Sequence, residues 1–232
     1  MSHQVFDMFL KATLATLEMV LSSAVIAVAF GLPLAILLTV TAPGGLWPFP
    51  VIRKGLGFII DLTRAVPFII LLVLVIPVTR FLVGTSLGTA AAIVPISITA
   101  IPYFARIAEV SLKEVDPSLI ESVRAMGGTR AKVIWSVLLP EAFPGLVTGV
   151  TVTLVTLISA SAMAGVVGAG GLGDLAIRYG YQRFNTVMML WVVGILVILT
   201  VIFQILGNFI HNIFQNKNSV FLSIIKRAVR ST

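Results

Sequence analysis

The sequence predicts an all-α membrane protein with five transmembrane helices and a pair of short cytoplasmic helices between the third and the fourth. Of its 232 residues, 58% are hydrophobic and only 11% are charged, and the mean hydropathy of +1.09 exceeds that of soluble domains. Charge-free runs approach the ~20 residues that cross a bilayer. They lack a two-residue alternation, so they predict helices rather than barrel strands.

The predicted spans fill residues 1–217 and leave no room for a separate soluble domain. They lie near residues 14–42, 57–82, 85–112, 143–167 and 184–212. Prolines at positions 67, 77, 95 and 102 are expected to break the second and third spans into kinked segments. Residues 218–232 are expected to form a basic amphipathic tail on the lipid surface or, equally, a disordered tail.

The distribution of positive charge predicts the orientation in the membrane. Most of the 16 Lys and Arg residues fall on one side of the predicted spans, and that side is expected to be cytoplasmic. Five spans then leave the N-terminus outside and the C-terminus in the cytoplasm. The net charge of +7 follows from this topology, so we expect membrane lipid and no nucleic acid as a partner.

Charged residues near the predicted spans are interpreted as structural pairs. Asp61 and Arg64 stand three residues apart and share one helix face, so we expect them to neutralise each other. Arg106, Glu109 and Lys113 follow at spacings of three and four. This spacing predicts that the third helix leaves the membrane with a solvated, charged face.

The longest polar interruption, residues 121–140, belongs to a segment that predicts two short helices within residues 117–139. Asp116 is a good N-cap and Pro117 suits a first helical turn, whereas Gly127 suits the left-handed residue after a helix. Thr129 is expected to cap a second helix that Pro140 ends. We expect this helix pair to contact either a protein partner or the lipid headgroups. The apolar face of the first helix comprises Leu119, Ile120, Val123 and Met126.

The fourth span carries small and hydroxylated residues at helical spacing, which favours close helix packing. Such a stripe either lines a polar pathway or bonds only its own backbone carbonyls. The stripe and its neighbours are Gly145, Gly149, Thr153, Thr156, Ser159, Ala160, Met163 and Ala164.

The run GAGGLG at residues 168–173 formally matches a dinucleotide-binding pattern. That fold requires a preceding strand, whereas a lipid-length helix precedes this run. We therefore expect a flexible, turn-rich external loop.

The chain lacks the residues of most catalytic sites. It has no cysteine and only two histidines, His3 and His211, which are placed on opposite sides of the predicted bundle. No nucleotide-binding G-x-x-x-x-G-K-[ST] motif occurs. We expect no catalytic residue, no metal site and no cofactor, and therefore a subunit driven by another protein.

Two motifs carry a family resemblance. Glu121, Ser122 and Val123, followed by Gly127 and by residues 137–140, resemble the EAA motif of ABC importer permeases, although that family has two Ala where this chain has Ser122 and Val123. The runs LLPEAFPGLVTG and SAMAGVVGAGGLGDLAIRYGYQRF are similar to permeases of the methionine uptake family. This similarity spans Phe6 to about Lys217.

The resemblance implies a non-enzymatic permease subunit in the bacterial inner membrane. It would form a homodimer above an ABC ATPase dimer that hydrolyses ATP, and it would receive methionine or a close analogue from a periplasmic or lipid-anchored binding protein. Alternatives are another amino acid or organosulfur substrate, or an ATPase-independent channel or structural subunit.

The resemblance also implies roles for two groups of residues. The ATPase-coupling residues would be Pro117, Leu119, Ile120, Glu121, Ser122, Val123, Arg124, Met126 and Gly127. The fourth-span residues named above, from Gly145 to Ala164, would lie at the pathway or at the dimer interface.

Overall fold

The computed structural model describes residues 3–230, with side chains described through residue 215. Over this range the chain is almost entirely helical, and it includes two π-helical segments, Ile134–Leu138 and Ala176–Tyr181. The basic amphipathic character predicted for the tail depends on the side chains of residues 218–232, which lie outside the described residues. The α-helices are α1 (His3–Val40), α2 (Pro50–Ala65), α3 (Phe68–Leu74), α4 (Ile76–Val83), α5 (Thr89–Lys113), α6 (Pro117–Ala125), α7 (Arg130–Val133), α8 (Leu139–Gly165), α9 (Gly171–Leu175) and α10 (Thr186–Arg230).

Four segments are long and apolar enough to cross a membrane: His3–Val40, Thr89–Lys113, Arg130–Gly165 and Thr186–Gln215. The α2–α3 pair supplies a fifth span if the two helices, which meet at an angle of 103°, are counted together. The predicted all-α fold with five spans is confirmed in this form. Its second span is a sharply bent one.

Proline explains the bend between α2 and α3. Val66 has an extended backbone, with φ −77° and ψ 125°, because a following proline disfavours the helical region. By contrast, α5 runs without a break through Pro95 and Pro102, so the expected interruption of the third span is wrong. Both prolines are buried in α5, whose packing against α1 and α8 supports the helix from both sides.

The core forms where α5 packs between α1 and α8. Met19, Ile96 and Phe104 are among its fully buried side chains. Glycines permit the close approach: a Cβ added at Gly31 of α1 would lie 2.9 Å from the Ile101 carbonyl oxygen of α5. The α10 helix packs on the other side of α8.

The predicted helix end at Pro140 is wrong. The helix continues from Arg130 to Gly165 as one 36-residue segment. Just before the proline it becomes π-helical, and the Leu139 amide donates to the Ile134 carbonyl five residues earlier. This wider turn relieves the collision between a proline ring and the carbonyl four residues before it.

The expected flexible loop at residues 168–173 is also corrected, because its second half is packed. All five residues of α9, Gly171–Leu175, are buried. The Leu172 amide donates to Thr16 Oγ1 of α1 at 2.9 Å. A Cβ added at Gly173 would lie 2.2 Å from the Ala162 carbonyl oxygen, so the glycines here allow α9 to contact the α8 backbone.

Candidate functional site

The local structure predicted for residues 117–127 is confirmed. Asp116 accepts a hydrogen bond from the Ser118 amide at 2.9 Å, and this bond lowers the pKa of the Asp116 carboxyl. After α6, Gly127 takes a left-handed φ of 77°, a backbone conformation that glycine adopts without strain. Thr129 then caps α7 by accepting from the Lys132 amide at 3.3 Å.

The α6 helix presents an open surface. None of its residues is buried, and Met126 at its end is 79% exposed. Of the predicted apolar face, Leu119, Ile120 and Val123 are half-buried, which attaches the helix to the bundle on one side only. Glu121 is exposed and makes no ion pair within the described part of the chain. Pro117, Ser122, Arg124 and Gly127 share this exposed surface.

A cavity of about 430 Å³ opens beside α8. Its walls come from three places: the α2–α3 bend, α5 and the second half of α8. Apolar side chains dominate, with hydroxyls and one guanidinium among them. The α8 side comprises Thr153, Thr156, Leu157, Ser159, Ala160 and Met163, and the other walls comprise Thr63, Arg64, Val66, Pro67, Phe68, Thr99, Ala100 and Tyr103.

The predicted small-residue stripe therefore divides into two parts. Cβ atoms added at Gly145 and Gly149 would lie 2.8 Å from Ser111 Oγ and 2.9 Å from Ile107 Cγ2 of α5, so these glycines serve helix packing. Ala164 is fully buried. The residues between them, from Thr153 to Met163, face the cavity.

The hydroxyls of this stripe bond their own helix and also line the cavity. Thr153 Oγ1 donates to the Gly149 carbonyl at 2.7 Å, and Thr156 Oγ1 lies 2.9 Å from the Val152 carbonyl. Thr156 Oγ1 also lies 3.3 Å from the Tyr103 hydroxyl across the cavity. The same threonines thus bond the backbone carbonyls of their own helix and also line the cavity.

A charged cluster corrects the predicted solvated face on the third helix at one residue, Glu109, whereas Lys113 is exposed as predicted. Glu109 is only 1% exposed. Its Oε2 lies 2.5 Å from Arg106 Nη1, and its Oε1 lies 2.6 Å from Lys113 Nζ and 3.4 Å from Arg53 Nη2. A carboxylate this buried requires such cations to remain charged.

The Asp61–Arg64 pair is present, but it is the weaker contact of Asp61. The two side chains are 3.7 Å apart, whereas Asp61 Oδ2 lies 2.6 Å from Arg106 Nη2 of α5. Asp61 therefore links α2 to α5 rather than serving only its own helix.

A separate ion pair joins α9 to the π-helical segment that follows it. Asp174, 8% exposed, pairs with Arg178 four residues later, and the carboxylate raises the pKa of the Arg178 guanidinium. Arg183 stacks 4.6 Å from the centre of the Tyr179 ring. These contacts order a region that sequence reasoning treated as a loop.

Sequence reasoning missed the cavity walls outside α8. Thr99 and Tyr103 stand four residues apart in a largely apolar run, and this spacing was an available signal that they share a helix face. The residues around the α2–α3 bend gave no such signal, because their position depends on the 103° angle. Among residues with described side chains, no group of three or more acidic or histidine side chains is placed to hold a metal ion.

Comparison with known proteins places this arrangement in context. Residues 27–220 match the family described as "Binding-protein-dependent transport system inner membrane component". The chain is 46% identical over 202 residues to the "Probable D-methionine transport system permease protein MetI" of Vibrio cholerae, covering 87% of this chain and 90% of that protein. It is 39% identical over 181 residues to the "Methionine import system permease protein MetP" of Bacillus subtilis, covering 78% and 82%.

Solved structures give the same relationship. The chain superposes on one from "Inward facing conformations of the MetNI methionine ABC transporter" with a TM-score of 0.91 and 43% identity, covering 92% of this chain and 99% of that one. A chain of an amino acid ABC transporter shares the fold alone, with a TM-score of 0.75 at 20% identity, covering 90% of this chain and 95% of that one.

Proposed function

This chain belongs to the family of binding-protein-dependent transport system inner membrane components, and from that premise we propose that it is the permease subunit of a methionine ABC importer. The observation that supports methionine as the substrate is the 46% identity to a probable D-methionine permease over 87% of this chain. The family places the protein in the bacterial inner membrane. L-methionine, D-methionine or a close analogue is the transported compound.

The permease works in an assembly and hydrolyses no ATP itself. An associated ABC ATPase dimer supplies the energy, a second copy of the chain completes the permease, and a binding protein, periplasmic or lipid-anchored, delivers the substrate. The structural similarity to the MetNI transporter over 92% of the chain supports this arrangement.

The α6 helix is the contact with the ATPase. Four features support this role: its exposure, its capped start, the glycine turn behind it and its one-sided attachment to the bundle. Residues Pro117–Gly127 supply the contact surface. The α7 helix continues directly into α8. A displacement of α6 that also shifts α7 therefore moves the whole 36-residue helix.

The cavity beside α8 forms part of the substrate pathway. Its volume of about 430 Å³ falls within the range typical of small-molecule sites. Apolar walls suit a thioether side chain, whereas the hydroxyls and Arg64 suit the polar end of an amino acid. Rigid-body motion of the helices around this cavity would alternate its access between the two sides.

The positive-inside pattern orients this assembly. With α6 in the cytoplasm beside the ATPase, the N-terminus lies outside and the C-terminus lies inside. A cysteine introduced at exposed Asp7 tests this orientation, because the chain has no cysteine of its own. An impermeant thiol reagent added to intact spheroplasts should label it.

The coupling role is tested by co-purification with the ATPase and by methionine uptake into proteoliposomes. The double variant Glu121→Arg/Gly127→Trp should lose the ATPase and the uptake. A matched control is Asp7→Arg/Gly84→Trp, which reverses one exposed charge and strains one glycine of similar φ, 81°, away from α6. Normal assembly and normal uptake by the first variant would contradict the coupling assignment.

The alternative functions make different predictions in the same preparation. A stand-alone channel would show flux or conductance in the absence of ATPase. A permease for another amino acid or organosulfur compound would assemble with an ATPase that hydrolyses ATP normally, yet the complex would not accumulate labelled L-methionine or D-methionine.

A further inference from the structure

The charged cluster around Glu109 joins three segments that are distant in sequence. Arg53 and Asp61 come from α2, and Arg106, Glu109 and Lys113 come from α5. Arg53 also donates through Nη1 to the Leu38 carbonyl at the end of α1, at 2.8 Å. The cluster therefore holds the ends of these helices together on the side of the bundle that carries α6.

Two bridges in the cluster connect α2 to α5. Arg53 Nη2 reaches Glu109 Oε1 at 3.4 Å, and Asp61 Oδ2 reaches Arg106 Nη2 at 2.6 Å. The other two contacts of Glu109, to Arg106 and Lys113, lie within α5 itself. Loss of the two bridges would thus leave the buried carboxylate neutralised by its own helix.

The cluster lies between the proposed coupling helix, α6, and the cavity wall at the α2–α3 bend. Lys113 is the last residue of α5 and stands four residues before Pro117, where the proposed coupling helix begins. Asp61 stands one turn before the α2–α3 bend, where five of the six residues at positions 63–68 line the cavity. The bridges are the charged contacts between the segment leading to α6 and the segment forming that cavity wall.

We propose that Arg53 and Asp61 are positioning residues that join α2 to α5, so that movement of the coupling helix is transmitted to the cavity wall at the α2–α3 bend. This inference rests on the proposed function of the permease. Ion pairs with one partly exposed member suit this purpose, because each can shift its geometry without stranding a buried charge. Glu109 anchors the joint, and Arg106 connects its two bridges.

The test compares two charge-balanced double variants in the complex with ATPase and binding protein. Arg53→Gln/Asp61→Asn removes both bridges and leaves the net charge unchanged. The control, Lys54→Gln/Glu114→Gln, removes a neighbouring cation and a neighbouring carboxylate, both of which take part in none of the ion pairs above. The measured quantity is the amount of methionine transported per ATP hydrolysed.

The bridge variant should assemble and hydrolyse ATP, yet transport roughly fivefold less methionine per ATP, as expected for the loss of an ordinary coupling free energy. The control should match the wild type. Arg53→Lys/Asp61→Glu, which retains both charges, should restore most of the ratio. A purely structural role would lower transport and hydrolysis in parallel, and that result would overturn the proposal.

Hydrogen exchange supplies a readout independent of the substrate. In the wild type, ATP binding should change exchange at the α2 and α5 ends together, whereas in the bridge variant only α5 should respond. Joint responses in both proteins would overturn the proposal. If the wild-type complex moves no methionine, the substrate assignment fails and this measurement still tests the joint.

A single variant tests the proposal if the double variant Arg53→Gln/Asp61→Asn does not assemble with the ATPase. Asp61→Asn alone removes the shorter bridge at a side chain that is 52% exposed, so the fold tolerates the loss of this charge. A lowered ratio of methionine to ATP in this variant supports the joint. An unchanged ratio overturns the assignment of Asp61 as a positioning residue.

Discussion

Replacing Gly173 with alanine tests whether α9 is held against the α8 backbone. The added Cβ would lie 2.2 Å from the Ala162 carbonyl oxygen and 2.6 Å from its Cα. Comfortable contacts between such atoms begin near ~3.5 Å. Both obstructing atoms belong to the backbone of α8, so no side-chain rotation can relieve the overlap, and α9 must move by about 1 Å or more.

Overpacking of this kind costs about 1–3 kcal/mol. For a chain of this size, each kcal/mol corresponds to roughly 2–4 °C in Tm. We therefore expect the detergent-solubilised variant to unfold about 2–12 °C below the wild type in a thermal shift assay. Because α9 also contacts Thr16 of α1, exchange protection at the Leu172 amide should fall as well.

The matched control is Gly194→Ala in α10, where an added Cβ meets no atom within 4 Å. Alanine in a helix interior stabilises by up to ~1 kcal/mol relative to glycine, so this variant should unfold at or above the wild-type temperature. An unchanged Tm for Gly173→Ala, or an equal loss in both variants, would refute the reasoning from packing.

Three further predictions concern other parts of the bundle. Thr16→Val removes the hydroxyl that accepts from the Leu172 amide of α9, at 2.9 Å, and should cost about 1–3 kcal/mol in a thermal or chemical unfolding assay, since it strands a buried amide. The pKa of Asp116 is lowered by the Ser118 amide, so this cap stabilises α6 above the ordinary aspartate pKa and is lost as the pH falls through the lowered value; exchange protection of α6 relative to Asp116→Asn should fall in acid. Ser159→Trp should obstruct the cavity and reduce methionine uptake several-fold while ATPase binding persists, whereas Val25→Trp, at a side chain 69% exposed, should leave uptake intact.

The sequence was most informative where local interactions decide the structure. Asp116, Pro117 and Gly127 specify the start and end of α6 through backbone chemistry within a few residues, and the structure has these boundaries. The apolar runs likewise predicted the long helices, because in lipid the backbone has little alternative to helix.

Distant contacts explain what the sequence did not predict. The spacing of Arg106, Glu109 and Lys113 is equally compatible with a solvated or a buried face, and it does not reveal the contact of Glu109 with Arg53, 56 residues earlier. The GAGGLG run resembles a flexible loop until Gly165 and Gly173 bring α8 and α9 into backbone contact. The cavity depends on an angle between α2 and α3 that no periodicity encodes.

The π-helical segment before Pro140 sets the rotation of α8 about its axis relative to α6. A π turn holds one residue more than the α turn that it replaces, and one residue corresponds to about 100° of rotation about a helix axis. A single deletion or insertion within Ile134–Leu138 would therefore turn the cavity side of α8 by roughly a quarter of a circle relative to α6. The length of this segment, more than its composition, determines which face of α8 lines the cavity.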